Sequence, residues 1–122
     1  MTVWKKAGML YHGKEGYNCA QALIKAFQDI CGADEFDIEE FAAYGRGRVD
    51  GGLCSPLYAI YRLIDNTVVY EQILEEFAKE TGSVKCREIK LGMQLGCREC
   101  IELAGRLLVE KVPEKEINFR EE

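Results

Sequence analysis

The residues best equipped for chemistry in this 122-residue chain are its six cysteines, Cys19, Cys31, Cys54, Cys86, Cys97 and Cys100. A free cysteine often serves as a small apolar filler, and its placement decides whether it does more. Cys54 follows a glycine-rich stretch into a helix start, and Cys86 falls in the first turn after Ser83. Cys97 follows Gly96 into a last helix, and Cys19 lies just behind a helix start at Tyr17 or Asn18. The amino end of a helix presents unpaired N–H groups and about half a positive charge, which favours thiolate over thiol. Lys85, Arg87 and Arg98 stand beside these cysteines and push the same way. A thiolate is both the nucleophile of disulfide exchange and the ligand of soft metals, so the pattern supports either chemistry. Cys54 is expected to be the most acidic thiol, because the glycines before it leave its sulfur accessible, with Cys86 second between Lys85 and Arg87.

Cys97 and Cys100 form a C-x-x-C whose two sulfurs, on a helix, lie one turn apart on the same side. A zinc module pairs two such motifs, and here the other cysteines stand singly. No strand-turn-helix context precedes the motif, which argues against a thioredoxin-like arrangement. Cys31, before Gly32 at a helix end, is expected to be a core or surface thiol. His12, the one histidine, falls in a turn and is expected to be exposed. The run from Gly45 to Arg48 lacks the lysine and hydroxyl of a phosphate-binding loop. Glu75 and Glu76 belong on a solvated helix face, and Tyr58 and Tyr61 follow Cys54 on its helix, where packing is their expected role.

The elements that must position these thiols are helices, because apolar residues recur every three or four positions and strand-like alternation is rare. Val3 to His12 makes a short helix before a turn at Gly13 and Gly16. Cys19, Leu23, Phe27 and Ile30 share one face of a helix ending at Gly32, and Ile38 to Tyr44 offers another short one. Gly45 to Leu53 is the clearest loop. Cys54, Leu57, Tyr61 and Ile64 mark the next helix, with Pro56 in its first turn, and Val69, Ile73 and Phe77 the one after, up to Gly82. Ser83 caps a brief helix carrying Cys86 and Ile89, and the last long helix runs from about Gly96 to Val109. The charged stretch 113–122 is expected to fray.

Length and composition fit one folded domain over residues 1–122, with 48% hydrophobic residues, 30% charged and two prolines. A net charge of -5 argues against nucleic acid as a partner. The amino terminus lacks an export pattern and no apolar run reaches a membrane span, so a cytoplasmic protein with no membrane insertion is expected. Reducing systems there keep most thiols free.

Four stretches together resemble one family. Tyr17-Asn-Cys-Ala-Gln-Ala is similar to a first cysteine motif, and Gly45 to Gly52 followed by Cys54 to a second. Gly82-Ser-Val-Lys-Cys-Arg-Glu is similar to a third, and Cys97, with Ile101 and Ala104 behind it, to a fourth. On these the chain resembles the C_GCAxxG_C_C family of redox-active proteins over nearly its whole length. The resemblance implies that Cys19, Cys54, Cys86 and Cys97 form one site, with Cys100 as a substitute or extra member. The second motif departs from the family's, since Ser55, Pro56 and Ala59 stand where it has glycine, alanine and glycine.

The sequence thus leads to an all-α, compact single-domain bundle of about five to seven helices. The first functional expectation is a thiol-based oxidoreductase, with Cys19, Cys54, Cys86 and Cys97 as its reactive residues and a redox partner protein or small molecule as its substrate. The second is a metal or iron–sulfur module, in which the same four cysteines hold an iron–sulfur cluster or zinc. The third is a structural or adaptor domain with cysteines as filler.

Overall fold

The computed structural model describes residues 1–92 and 96–120, leaving aside the side chains at 46 and 91. Eight α-helices form the chain among these residues, six of them seven residues or longer, with no strands. They are α1 (Val3–Leu10), α2 (Cys19–Ala26), α3 (Gln28–Cys31), α4 (Glu35–Glu40), α5 (Ser55–Tyr61), α6 (Thr67–Thr81), α7 (Cys86–Gly92) and α8 (Cys97–Lys111). The all-α expectation therefore holds. No helix among the described residues is long and apolar enough to cross a membrane.

Local chemistry explains where these helices start. Asn18 opens α2 with a capping box: its side chain accepts the Gln21 N–H, and the Gln21 side chain accepts the Asn18 N–H. Asp34 and Asp37 do the same for α4, so that helix begins at Glu35 instead of the expected Ile38 and passes into a 3₁₀ segment, Phe41–Gly47. The single helix expected from Cys19 to Ile30 is broken at Phe27, whose N–H bonds back to Leu23 while α3 restarts beyond it. Gly32, in the left-handed conformation, ends α3 as expected.

Helix α8 organises the bundle, packing on α1, α2, α5 and α6, while α2 also packs on α1 and α5. Gly105 lets α8 approach α1, because a Cβ there would stand 2.9 Å from the Trp4 Cβ. Ala7, Leu23, Ile24, Phe27, Leu57, Ile60, Phe77, Ile101 and Leu108 are among the side chains of one continuous buried cluster. Each buried aliphatic or aromatic side chain contributes about 1.5–3 kcal/mol of transfer free energy, so this cluster is the main source of cohesion.

The carboxyl-terminal stretch corrects the expectation that 113–122 frays. Ile117 is buried, and three N–H groups dock it to the core: Asn118 to the Leu63 carbonyl, Phe119 to Cys31 and Arg120 to Arg62. Its charged composition hid two apolar anchors, Ile117 and Phe119. Positions 121 and 122 lie outside the described residues.

Candidate functional site: a pocket of five thiols

Each site cysteine sits at a helix start or one turn beyond it. Cys19 is the first residue of α2, Cys86 the first of α7 and Cys97 the first of α8; Cys54 is the N-cap of α5, and Cys100 lies one turn into α8. Packing of α2, α5 and α8 then draws three of these starts together. A two-residue antiparallel bridge between Leu53 and Lys85, with the Cys54 N–H donating to the Val84 carbonyl at 2.7 Å, sets Cys54 beside the start of α7. The result is one cavity of about 10 Å³ lined by Cys19, Cys54, Cys86, Cys97 and Cys100 with Ser55, Pro56, Ile89 and Lys90. That volume is about one water molecule's worth of free space. Cys31 lies elsewhere, buried at the end of α3, where burial raises its thiol pKa.

The glycine loop holds one wall. Gly47 has φ 74°, and a Cβ there would meet the Cys86 Cβ at 2.7 Å, so only glycine lets this turn close over Cys86. The Gly47 N–H donates to Ser55 Oγ at 2.9 Å, and that hydroxyl in turn donates to the Tyr44 carbonyl. Ser55, one of the departures from the family pattern, thus ties the loop to the start of α5. On the opposite side a parallel bridge between Tyr11 and Tyr17 folds the end of α1 back toward α2, which places Tyr11 next to the thiols.

Two hydrogen-bonded thiol pairs make up the interior. Cys97, half-buried, accepts from the Cys19 thiol, from the Tyr11 hydroxyl and from Lys90, and these donors bring its pKa down to about 5 against the opposing effect of burial. Cys100 accepts from the Cys54 thiol, which lowers the Cys100 pKa although burial and the Cys97 charge oppose it. Cys54, donating that bond and 4% exposed, is pushed well above the ordinary thiol range. Opposite shifts at Cys54 and Cys100 mean that the two sulfurs are coupled and that the pair titrates as a unit.

This corrects the expectation that Cys54 is the most acidic thiol. The glycines before it do not expose its sulfur, and burial together with its donor role outweighs its place at a helix start. The cation that acts on Cys97 is Lys90, in place of the expected neighbour Arg98, which instead pairs with Glu102. Lys90 stands four residues after Cys86, one turn along the same helix face, and that spacing was a readable signal. Tyr11 left no such signal, because only the fold-back at Tyr17 brings it in. Tyr58 and Tyr61 do pack, as expected, in an aromatic group with Phe41, Tyr44 and Tyr70. His12 is exposed and stacks on Tyr11.

Five sulfurs are chemically suited to a soft metal; among the described residues no group of three or more His, Cys, Asp or Glu stands in an arrangement that could hold an ion. Compared with models of protein families, with curated proteins and with solved structures, the chain matches none.

Proposed function

We propose that the chain is a thiol–disulfide redox protein of the kind its family resemblance implies, in which Cys97 is the nucleophile and Cys19 the resolving thiol. The observation that carries this reading is the meeting of Cys97 and Cys19 in one pocket, where the Cys19 thiol, the Tyr11 hydroxyl and Lys90 donate to the Cys97 sulfur and bring its pKa down to about 5. A thiolate next to a protonated thiol is the reactant state of exchange. Cys97 attacks a disulfide of a partner protein or small molecule, forming a mixed disulfide and releasing one thiolate. Cys19 then attacks the Cys97 sulfur, closing a Cys19–Cys97 disulfide and releasing the second half of the substrate, which takes the Cys19 proton. Two electrons pass from the protein to the substrate disulfide. Run backward, the same steps make the protein an oxidant. A low-pKa thiol is also a good leaving group, so this disulfide is easily reduced again. A cytoplasmic setting suits the reading, since it returns the pair to the dithiol state.

The test is reaction of anaerobically purified, fully reduced protein with a small disulfide, followed by mass-spectrometric mapping. A Cys19–Cys97 linkage with an inert Cys31 is expected. Stoichiometric bound metal or sulfide, with these thiols unreactive, would overturn the reading in favour of a metal or iron–sulfur module.

A further inference from the structure

The exchange reaction above uses two of the five pocket thiols and leaves unexplained a second pair, Cys54 and Cys100, hydrogen-bonded to each other. Both are almost sealed, at 4% and 5% exposure, as is Cys19 at 3%, so of these four thiols only the half-buried Cys97 is open to a partner protein. They line the same cavity as Cys19 and Cys97, and Cys100 lies one helical turn from Cys97 on α8. We propose that Cys54 and Cys100 are an inner dithiol that takes over the disulfide from Cys19 and Cys97, so that one chain holds two disulfides. The proposal rests on the exchange reading of the outer pair.

The transfer balances without any outside reagent. The Cys100 thiolate attacks the Cys97 sulfur of the Cys19–Cys97 disulfide, forming a Cys97–Cys100 bond and releasing the Cys19 thiolate. Such a bond joins the two ends of a C-x-x-C at a helix start, a spacing that supports disulfides. Cys54 next attacks the Cys100 sulfur, forming Cys54–Cys100 and releasing the Cys97 thiolate, while the Cys54 proton passes to Cys19. One disulfide is consumed and one is formed, and charge and proton count are unchanged. The outer pair returns to its starting state, a Cys97 thiolate beside a Cys19 thiol, ready for a second substrate disulfide. Cys97 is the better leaving group at the second step, since its thiolate is the more stabilised, which drives the disulfide inward. The free space of about 10 Å³ lets sulfurs shift by the small distance needed to exchange partners.

Reduced protein is mixed with excess dithiodipyridine, quenched at intervals by acid, and its disulfides are mapped and counted by mass spectrometry. Cys19–Cys97 is expected first, followed by chains carrying both Cys19–Cys97 and Cys54–Cys100, with Cys31 and Cys86 in no internal disulfide. The Cys97→Ser variant, its fold checked by circular dichroism, is expected to lose the inner disulfide together with the outer one. A wild-type chain that stops at Cys19–Cys97 overturns the inner dithiol and leaves the exchange reading standing. Failure of Cys19–Cys97 to form at all overturns both. Equal rates of Cys54–Cys100 formation in wild type and Cys97→Ser overturn the transfer, because the inner pair is then oxidised independently.

Discussion

Two places in this core hold chemistry instead of hydrocarbon, and they are built on opposite plans. Around Arg62, which is 2% exposed, every partner is fixed. Its Nε donates to the Arg120 carbonyl at 2.8 Å, and its Nη1 donates to Glu40 at 3.1 Å and to the Tyr58 hydroxyl at 3.2 Å. The rings of Phe41 and Phe119 flank it, each centred 5.2 Å from the guanidinium carbon. Burial opposes the charge there, but the bonds to Tyr58 and Glu40 outweigh it and hold the pKa above the ordinary arginine value. The thiol pocket has the reverse character: its protons are shared between like groups, its charge sits on a half-buried sulfur, and it keeps some free space. A buried cation held by carbonyl, carboxylate and hydroxyl acceptors makes a fastener, whereas partial ionisation beside a thiol donor makes a reactant.

The sharpest test separates the two functions by mutation. Cys97→Ser is expected to abolish disulfide exchange in single-turnover assays while changing stability by no more than about 1 kcal/mol at pH 5, where the thiolate contributes little to folding. Exchange that survives in this variant would remove the distinction between Cys97 and the other thiols.

The pH dependence sharpens the same point. Cys97, with a pKa of about 5, is half ionised at pH 5, where an ordinary thiol is almost wholly protonated. Its lower basicity reduces intrinsic nucleophilicity, so the net advantage in alkylation at pH 5 is on the order of tens of fold over the cysteines of the unfolded chain. By pH 7 the advantage shrinks toward parity, since ordinary thiols begin to ionise and Cys97 has no more to gain. Residue-resolved alkylation from pH 4 to 9 checks this. The folded-state pKa lies below the unfolded one, so Cys97 contributes stability that is fully present above about 8.5 and lost as pH falls through about 5. Urea unfolding of reduced wild type and Cys97→Ser should therefore diverge in wild type's favour as pH rises through that window.

Arg62→Ala tests the fastener. It opens a cavity between Phe41 and Phe119 and removes the donor to the Arg120 carbonyl. A loss of about 3 kcal/mol is expected, the low end for a broken buried pair because Glu40 is partly solvated. Thermal unfolding should fall by about 10 °C, and 113–120 should exchange amide hydrogens faster, with the Cys97 alkylation midpoint unmoved. A shifted midpoint would show that the two regions are coupled.

Smaller effects test the pocket walls. Gly47→Ala places a methyl against Cys86 at a positive φ and should cost about 1–3 kcal/mol in urea unfolding. Lys90→Gln removes one of three donors to Cys97 and should move its alkylation midpoint upward, by less than Cys19→Ala does, because the Cys19 bond is the larger influence.

Much of this was legible in the residues themselves. Apolar spacing is local, and so α2, α5, α6 and α8 could be read from Cys19, Leu57, Ile73 and Ile101 without knowing the packing. Helix starts at Cys19, Cys54, Cys86 and Cys97 are local too, since glycines, caps and Pro56 announce them. Breaks that depend on a neighbour were not legible: Phe27 interrupts α2 as a fully buried residue, and Ile117 and Phe119 anchor a charged tail through carbonyls of Cys31, Arg62 and Leu63.

The site divides in the same way. Sequence by itself determined which residues could become thiolates, because residue type, helix position and the turn spacing of Cys97 to Cys100 or Cys86 to Lys90 are properties of the chain. Tertiary structure alone decided which of them does. Of two hydrogen-bonded thiols, the one that is more buried and donates the bond, Cys54, holds its proton more tightly, while its partner Cys100 is made more acidic. Cys97 is made acidic because Cys19 on α2, Tyr11 just beyond α1 and Lys90 on α7 converge on it, and no spacing along the chain encodes that meeting. Hydrogen bonding and burial act through space over a few ångströms, and only the packed bundle sets those distances.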